Sequence, residues 1–301
     1  MFKNQQVIDQ LLRERAPWFT ENNFVSKLVS KIFKIFLKYN LTIEQANELE
    51  KLDGLSIMEK MSQTYIKHLE VSGIKNLSSY GSAIIVSNHP TGIADALCLW
   101  SALSTHRSDI FFFANRDILR LFPQLREVVA PVEWQKQKKS IQASKETLKY
   151  TKRAFKKNRV SIVFPSGRLA ARKWFQLHER SWLHSAVKLS KKYKVPIIPI
   201  HISARNSSFY YLCDLIHHQL RDIMLFHEVI NKKKQLFKID IGSPINWDAL
   251  PTDNQKATEF IFSKTIFETN ENKKNHFFNL AQYPYKIKFS YFELSKRIFG
   301  R

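Results

Sequence analysis

This chain is short of acid, short of glycine and nearly devoid of cysteine, and each shortage narrows what it does. Its 26 Asp and Glu face 48 Lys and Arg, a net charge of +22. A field of that sign disfavours cationic partners and favours nucleic acid, an anionic membrane surface or an acidic carrier protein. The two cysteines, Cys98 and Cys213, sit among apolar neighbours in A-L-C-L-W and Y-L-C-D-L. No C-x-x-C spacing occurs, so the sequence offers no zinc site. Both thiols read as small buried hydrophobes in a reducing compartment. No apolar run reaches the ~18–20 residues that span a bilayer. The opening M-F-K-N-Q-Q-V-I-D-Q lacks the apolar centre of a signal peptide. The expectation is a protein on the cytoplasmic side, touching membrane only peripherally.

What is present describes a packed globular protein. The hydrophobic fraction is 44% and the aromatic fraction 13%, well outside the disordered range. At 301 residues the chain accommodates one large α/β domain and an appended helical segment.

Residues 1–70 read as a helical segment with a capacity for membrane association. Between Phe24 and Tyr39, Lys27, Lys31, Lys34 and Lys38 make one stripe, while Val25, Leu28, Val29, Ile32, Phe33 and Phe36 fill much of the rest. Two readings stand: a core helix with a solvated lysine edge, or a helix lying on anionic lipid. From 71 to 250 the pattern changes to short β-branched runs at 83–87, 110–114, 160–164, 196–202 and 236–241. Helical candidates fall between them at 94–104, 117–125, 137–157, 179–193 and 207–230. Such alternation predicts an α/β fold, a largely parallel sheet flanked by helices on both faces. Residues 251–301 form a basic, aromatic C-terminal extension that could touch a surface of its own.

Only seven glycines occur, against an ordinary usage of about 7%. Two of them, Gly92 in N-H-P-T-G-I-A-D and Gly167 in F-P-S-G-R, fall in loops that directly follow predicted strands. Strand carboxyl ends are where α/β sheets place ligand sites. In the first loop, Asp95 is the one carboxylate between Glu70 and Asp109. A carboxylate accepting from one nitrogen of His89 would leave the other free to take a proton from a hydroxyl. The plainer alternative makes Asp95 an N-cap and His89 a turn residue. The second loop offers Ser166, Gly167, Arg168 and Arg172, small residues and cations suited to an anion, or else an ordinary strand-to-helix turn.

Taken in order, N-H-P-T-G-I-A-D and F-P-S-G-R resemble the glycerolipid acyltransferase superfamily, with its N-H-x-x-x-x-D and F-P-E-G-T-R-like motifs. The nearest branch is that of the hemolysin-like and lyso-ornithine-lipid acyltransferases. The likeness continues through A-N-R-D-I-L-R-L-F-P-Q-L-R, K-V-P-I-I-P-I-H-I-S-A-R-N-S and F-K-I-D-I-G-S-P-I, and spans roughly residues 65–247. It implies that His89 is the general base and that Asp95 orients it. It implies that Arg116, Ser166, Gly167 and Arg168 hold the acceptor's anionic head, and that Pro196 and Pro199 shape a pocket. The donor would be acyl-CoA or acyl carrier protein, the acceptor a lyso-lipid or glycerol-phosphate-type hydroxyl, and no cofactor is called for. Two departures stand out. Five residues separate His89 from Asp95 rather than four, and Ser166 replaces the usual glutamate with no threonine before Arg168. The lysine-rich stretch 137–157 would recruit an acidic carrier or anionic lipid, or simply be a solvated face. The alternative to an enzyme is a non-catalytic basic protein of membrane surfaces or nucleic acid. A nucleic-acid partner is disfavoured, because no zinc-finger, RRM or KH signature occurs.

Overall fold

A computed structural model describes residues 3–17, 24–133, 140–173 and 176–268. The basic C-terminal tail and positions 137–139 of the lysine-rich stretch lie outside these described residues. Four helices come first: α1 (Lys3–Arg15), α2 (Phe24–Phe36), α3 (Tyr39–Leu49) and α4 (Gly54–Tyr65). The stripe over 24–39 is not one helix. The chain breaks at Lys38, whose φ of 49° is left-handed, and restarts as α3. Asp53 caps α4 by accepting the Ser56 N–H.

Then follow β1 (His68–Ser72), β2 (Ala83–Ser87), α5 (Ile93–Leu103), β3 (Ile110–Asn115), α6 (Ile118–Leu121), β4 (Val129–Val132), α7 (Ile141–Lys156) and β5 (Val160–Val163). A small hairpin, β6 (Ala171–Lys173) and β7 (Gln176–His178), leads to α8 (Ser185–Tyr193), β8 (Ile197–Ser203), α9 (Ser208–Ile216), α10 (His218–Asn231), β9 (Leu236–Ile241) and α11 (Asn254–Ser263). The stretch expected as one helix over 207–230 is two. His217 is extended (φ −162°, ψ 135°), and its side chain caps the second by accepting from the Gln219 N–H.

The seven-stranded sheet has the order β1-β9-β8-β2-β5-β3-β4. The five strands from β8 to β4 run parallel. β9 pairs antiparallel with β8, and β1 runs parallel to β9. All residues of β2, β5 and β8 are buried, as expected of strands covered on both faces. Alternation along β2 divides its side chains. Ala83 and Ile85 join a core with Ile57, Leu97 and Met224, while Ile84 and Val86 join one with Phe155, Val187 and Ile261. Helices α4, α5 and α10 thus cover one face, and α7, α8 and α11 the other. Each fully buried Ile or Leu contributes about 1.5–3 kcal/mol.

The five expected strands are present; β1, β4 and the hairpin are additional. β1, H-L-E-V-S, is an exposed edge tied down by Glu70–Lys238 and Ser72–Asp240 contacts, which suits a strand that must not pair further. β4 carries Pro131, tolerated because this strand is the opposite edge. With five strands parallel, the loops after β2, β5 and β8 all emerge on one edge of the sheet.

Candidate active site

β2 ends in a lock. The Asn88 carboxamide donates to the Ile202 carbonyl at 2.9 Å and accepts from the Ile202 N–H at 2.7 Å, fastening the end of β2 to β8. The next residue is His89. Its Nδ1 lies 2.8 Å from Asp95 Oδ2.

Asp95 has no solvent exposure, so its oxygens must be satisfied from within. Oδ2 also accepts the N–H groups of Thr91 and Gly92, each at 2.9 Å, and Oδ1 accepts the Thr91 hydroxyl. The carboxylate is therefore a hub for the whole turn. It is not the N-cap of α5. Gly92 holds that position, and Asp95 is the third helical residue reaching back to it. Capping and orienting the histidine are one arrangement.

The extra residue between His89 and Asp95 is absorbed at Gly92, where φ is +91° and ψ −126°. A side chain there would be strained, and its Cβ would meet Leu169 and Leu225 at 3.2 and 3.3 Å. Because Asp95 acts as acceptor toward Nδ1–H, the proton-accepting lone pair of His89 belongs to Nε2. The ring keeps 18% of its side-chain surface exposed, enough for a substrate hydroxyl to approach.

The second loop meets the first, as expected of neighbouring strand ends. Phe164 stacks on the His89 ring, and the Ala170 N–H donates to the His89 carbonyl at 2.9 Å. Gly167 turns this loop at φ +61°, with open space where a Cβ would stand. The Ser166 hydroxyl is 2.7 Å from the Arg168 carbonyl. Arg168 itself is exposed and has no ion-pair partner among the described residues. Arg116, at the carboxyl end of β3, is occupied otherwise: its guanidinium donates to Glu146 of α7 at 2.7 Å. That bond, with a second from Arg126, holds the Glu146 carboxyl below its ordinary value. The geometry thus joins His89 to Asp95 and to the loop that carries Ser166 and Gly167, and gives Arg116 a partner of its own.

Sequence reasoning did not single out Glu179, whose buried carboxylate accepts the His89 backbone N–H at 3.1 Å. It also passed over a buried network behind Asp95. There Lys232 Nζ donates to the Arg205 carbonyl, Asn206 Oδ1 and Glu228, and Glu228 accepts the N–H and hydroxyl of Ser207. These bonds fix the loop that follows β8. Cys98 lies one turn from Asp95, its thiol donating to the Asp95 carbonyl at 3.2 Å. Complete burial pushes that thiol well up, so it is no nucleophile. Among the described residues no cluster of three or more His, Cys, Asp and Glu could hold a metal ion.

A histidine held by a buried acid, beside a glycine-turned loop at a sheet's carboxyl edge, is equipped to deprotonate a substrate hydroxyl. Residues 68–203 match the family model described as Acyltransferase, a span that contains both loops. This segment is an acyltransferase domain, and the chain's similarity to two lipid O-acyltransferases supports the same kind of activity. It is 25% identical over 265 residues to a lyso-glycine lipid O-acyltransferase of Bacteroides thetaiotaomicron, covering 86% of this chain and 95% of that one. A lyso-glycine lipid O-acyltransferase of Phocaeicola vulgatus is 24% identical over 71% of this chain and 77% of its own. The crystal structure of a 1-acyl-sn-glycerophosphate acyltransferase from Thermotoga maritima is also similar, with a TM-score of 0.49 and 12% identity. That match covers 90% of this chain and 99% of the other.

Proposed function

We propose that this protein transfers a fatty acyl group from a thioester, acyl-CoA or acyl carrier protein, to the free hydroxyl of a lyso-lipid at a membrane surface. The observation that carries the reading is the His89–Asp95 pair at 2.8 Å with the acid wholly buried. His89 Nε2 removes the hydroxyl proton as the acceptor oxygen attacks the thioester carbonyl. The tetrahedral oxyanion then collapses, the C–S bond breaks, and the imidazolium returns its proton to the departing sulfur. Asp95 holds the ring in the tautomer this requires and balances the imidazolium. Arg168, without an ion-pair partner among the described residues and in the loop whose Phe164 stacks on His89, is the cation suited to an anionic head group.

The names of the two relatives favour an amino-acid-type lyso-lipid as acceptor over a phosphate-bearing one, and Ser166 in place of glutamate agrees with an altered acceptor site. Membrane contact is supported by α2. Phe24, Leu28 and Ile35 are 81%, 50% and 74% exposed along one side of it, amid Lys27, Lys31 and Lys38, whereas Leu37 just beyond it is buried. An apolar ridge edged with lysines suits insertion into anionic lipid. Among the described residues no helix is long and apolar enough to cross a membrane. The deciding experiment supplies purified protein with lyso-glycine lipid or lyso-phosphatidate and either acyl-CoA or acyl carrier protein. Product should form with one acceptor and one donor class and disappear in His89→Ala; no product with any pair would refute the reading.

A further inference from the structure

Glu179 sits where the two active-site loops meet, and the reaction as written gives it nothing to do. Hairpin β6–β7 carries the chain away from Arg168 and returns it, so that Glu179, just past β7, comes back beside His89. Only 4% of the residue is exposed. One carboxylate oxygen, Oε2, accepts the His89 backbone N–H at 3.1 Å; the other, Oε1, accepts the Trp182 indole N–H at 3.2 Å. Next to Trp182, the Leu183 N–H donates to the Pro165 carbonyl at 2.9 Å, so the same segment borders the loop that bears Ser166.

We propose that Glu179 is a positioning residue, whose carboxylate clamps the His89 backbone to the Trp182 segment bordering the 164–168 loop and so keeps the imidazole seated against Asp95 and Phe164. The proposal rests on His89 being the general base. Its logic is donor counting. Both oxygens receive N–H donors, so both must be acceptors, and among common side chains of this length only a carboxylate provides that. A glutamine of identical shape must turn its NH₂ toward either His89 N–H or Trp182 Nε1–H. Buried donor would then face buried donor, and the His89 loop would move to relieve it.

The test compares variants of the full chain on two readouts. Glu179→Gln should lower kcat about 10- to 100-fold, the range expected for hydrogen bonds to a charged group, with acceptor KM within about twofold. In protein labelled with ¹⁵N-histidine, the His89 Nδ1–H signal should shift or broaden while that of buried His201 stays. Trp182→Phe removes one opposing donor, so adding Glu179→Gln to it should cost less than Glu179→Gln alone. Glu179→Asp, which keeps two acceptors on a shorter arm, should fall between and serves if the glutamine variant does not fold. Unchanged kcat in Glu179→Gln, or a loss of kcat without any change in the His89 signal, would overturn the proposal. Full activity in His89→Ala would instead overturn the general-base reading, whatever Glu179 does.

Discussion

The ring of Phe164 lies on the ring of His89, with centroids 4.1 Å apart and planes only 18° from parallel. One residue closes β5 and the other follows β2, so this contact is the physical seam between the two loops. It gives the imidazole a flat apolar wall on one side while Asp95 holds its edge. The ring then has one orientation, and catalysis by proton transfer depends on orientation before basicity. Phe164→Leu should therefore keep the fold but lower kcat by about tenfold, and His89→Ala or Asp95→Asn by ~10²-fold or more. Steady-state kinetics on folded variants would measure this; an Asp95→Asn enzyme as active as the parent would remove the pair from the mechanism.

Gly92 should be the least replaceable position of the first loop. Its φ of +91° strains any L side chain, and a Cβ would press on Leu169 and Leu225. Gly92→Ala should cost about 1–3 kcal/mol from backbone strain, read as a lower denaturation midpoint. Activity should drop as well, because the Gly92 N–H is one of the donors that hold Asp95.

His201 makes a pH prediction. It is wholly buried in β8, and that burial lowers its pKa from 6.5 to about 4. In the unfolded chain it binds a proton as pH falls through about 6.5, while in the folded state it resists until about 4. The unfolded state thus binds more protons in that window, and stability is lost progressively as pH drops from 6.5 toward 4. At about 1.4 kcal/mol per pH unit, the loss is on the order of 3 kcal/mol. Urea titrations across this window should show it, and His201→Leu should flatten the slope relative to the parent. Comparing the two proteins cancels the other titrating groups, among them Glu179, which burial shifts the opposite way.

For membrane attachment, charge reversal at Lys27, Lys31 and Lys38 should weaken binding to anionic vesicles by about 1 kcal/mol per charge at low salt. Phe24→Ser and Ile35→Ser should weaken it at any salt, since they remove apolar surface rather than charge. Turnover on a detergent-dispersed acceptor should be unchanged. Sedimentation with vesicles separates the two effects, and indifference to all five changes would make α2 an ordinary solvated helix.

What could be read from the sequence follows from how local each signal is. β2, β5 and β8 announce themselves as β-branched runs because burial on both faces demands them, while β3 shows as an aromatic apolar run and β9 by its alternation. β1 and β4 do not, because edge strands carry the very charges and proline that usually argue against a strand. The His89–Asp95 pairing was legible because both residues lie in one turn and the surrounding acid is sparse. Glu179 was not, since a short hairpin decides where it lands and no local pattern records that. Arg116 shows the same limit. Its motif was plain, but its partner Glu146 lies thirty residues on, in a lysine-rich helix.

That contrast between the two arginines yields the sharpest test of substrate recognition. Arg116 is already neutralised by Glu146 at 2.7 Å, with Arg126 sharing the same carboxylate, whereas Arg168 is exposed and has no ion-pair partner among the described residues. A cation spent on a protein carboxylate has little left for a ligand; a free guanidinium can meet an anionic head group with a planar pair of donors. Each charge-assisted bond is worth about 1.5–3 kcal/mol. Arg168→Ala should therefore raise the acceptor's KM roughly ten- to a hundredfold, since about 1.4 kcal/mol is tenfold, and leave the donor's KM nearly unchanged. Arg168→Lys should recover only part, because lysine keeps the charge without the fork. Arg116→Ala should behave differently, with a smaller change in acceptor KM and a lower thermal midpoint from the broken Glu146 bond. If the two variants exchange these phenotypes, Arg116 leaves Glu146 for the substrate during turnover, and the head-group site lies at the end of β3 rather than beside Gly167.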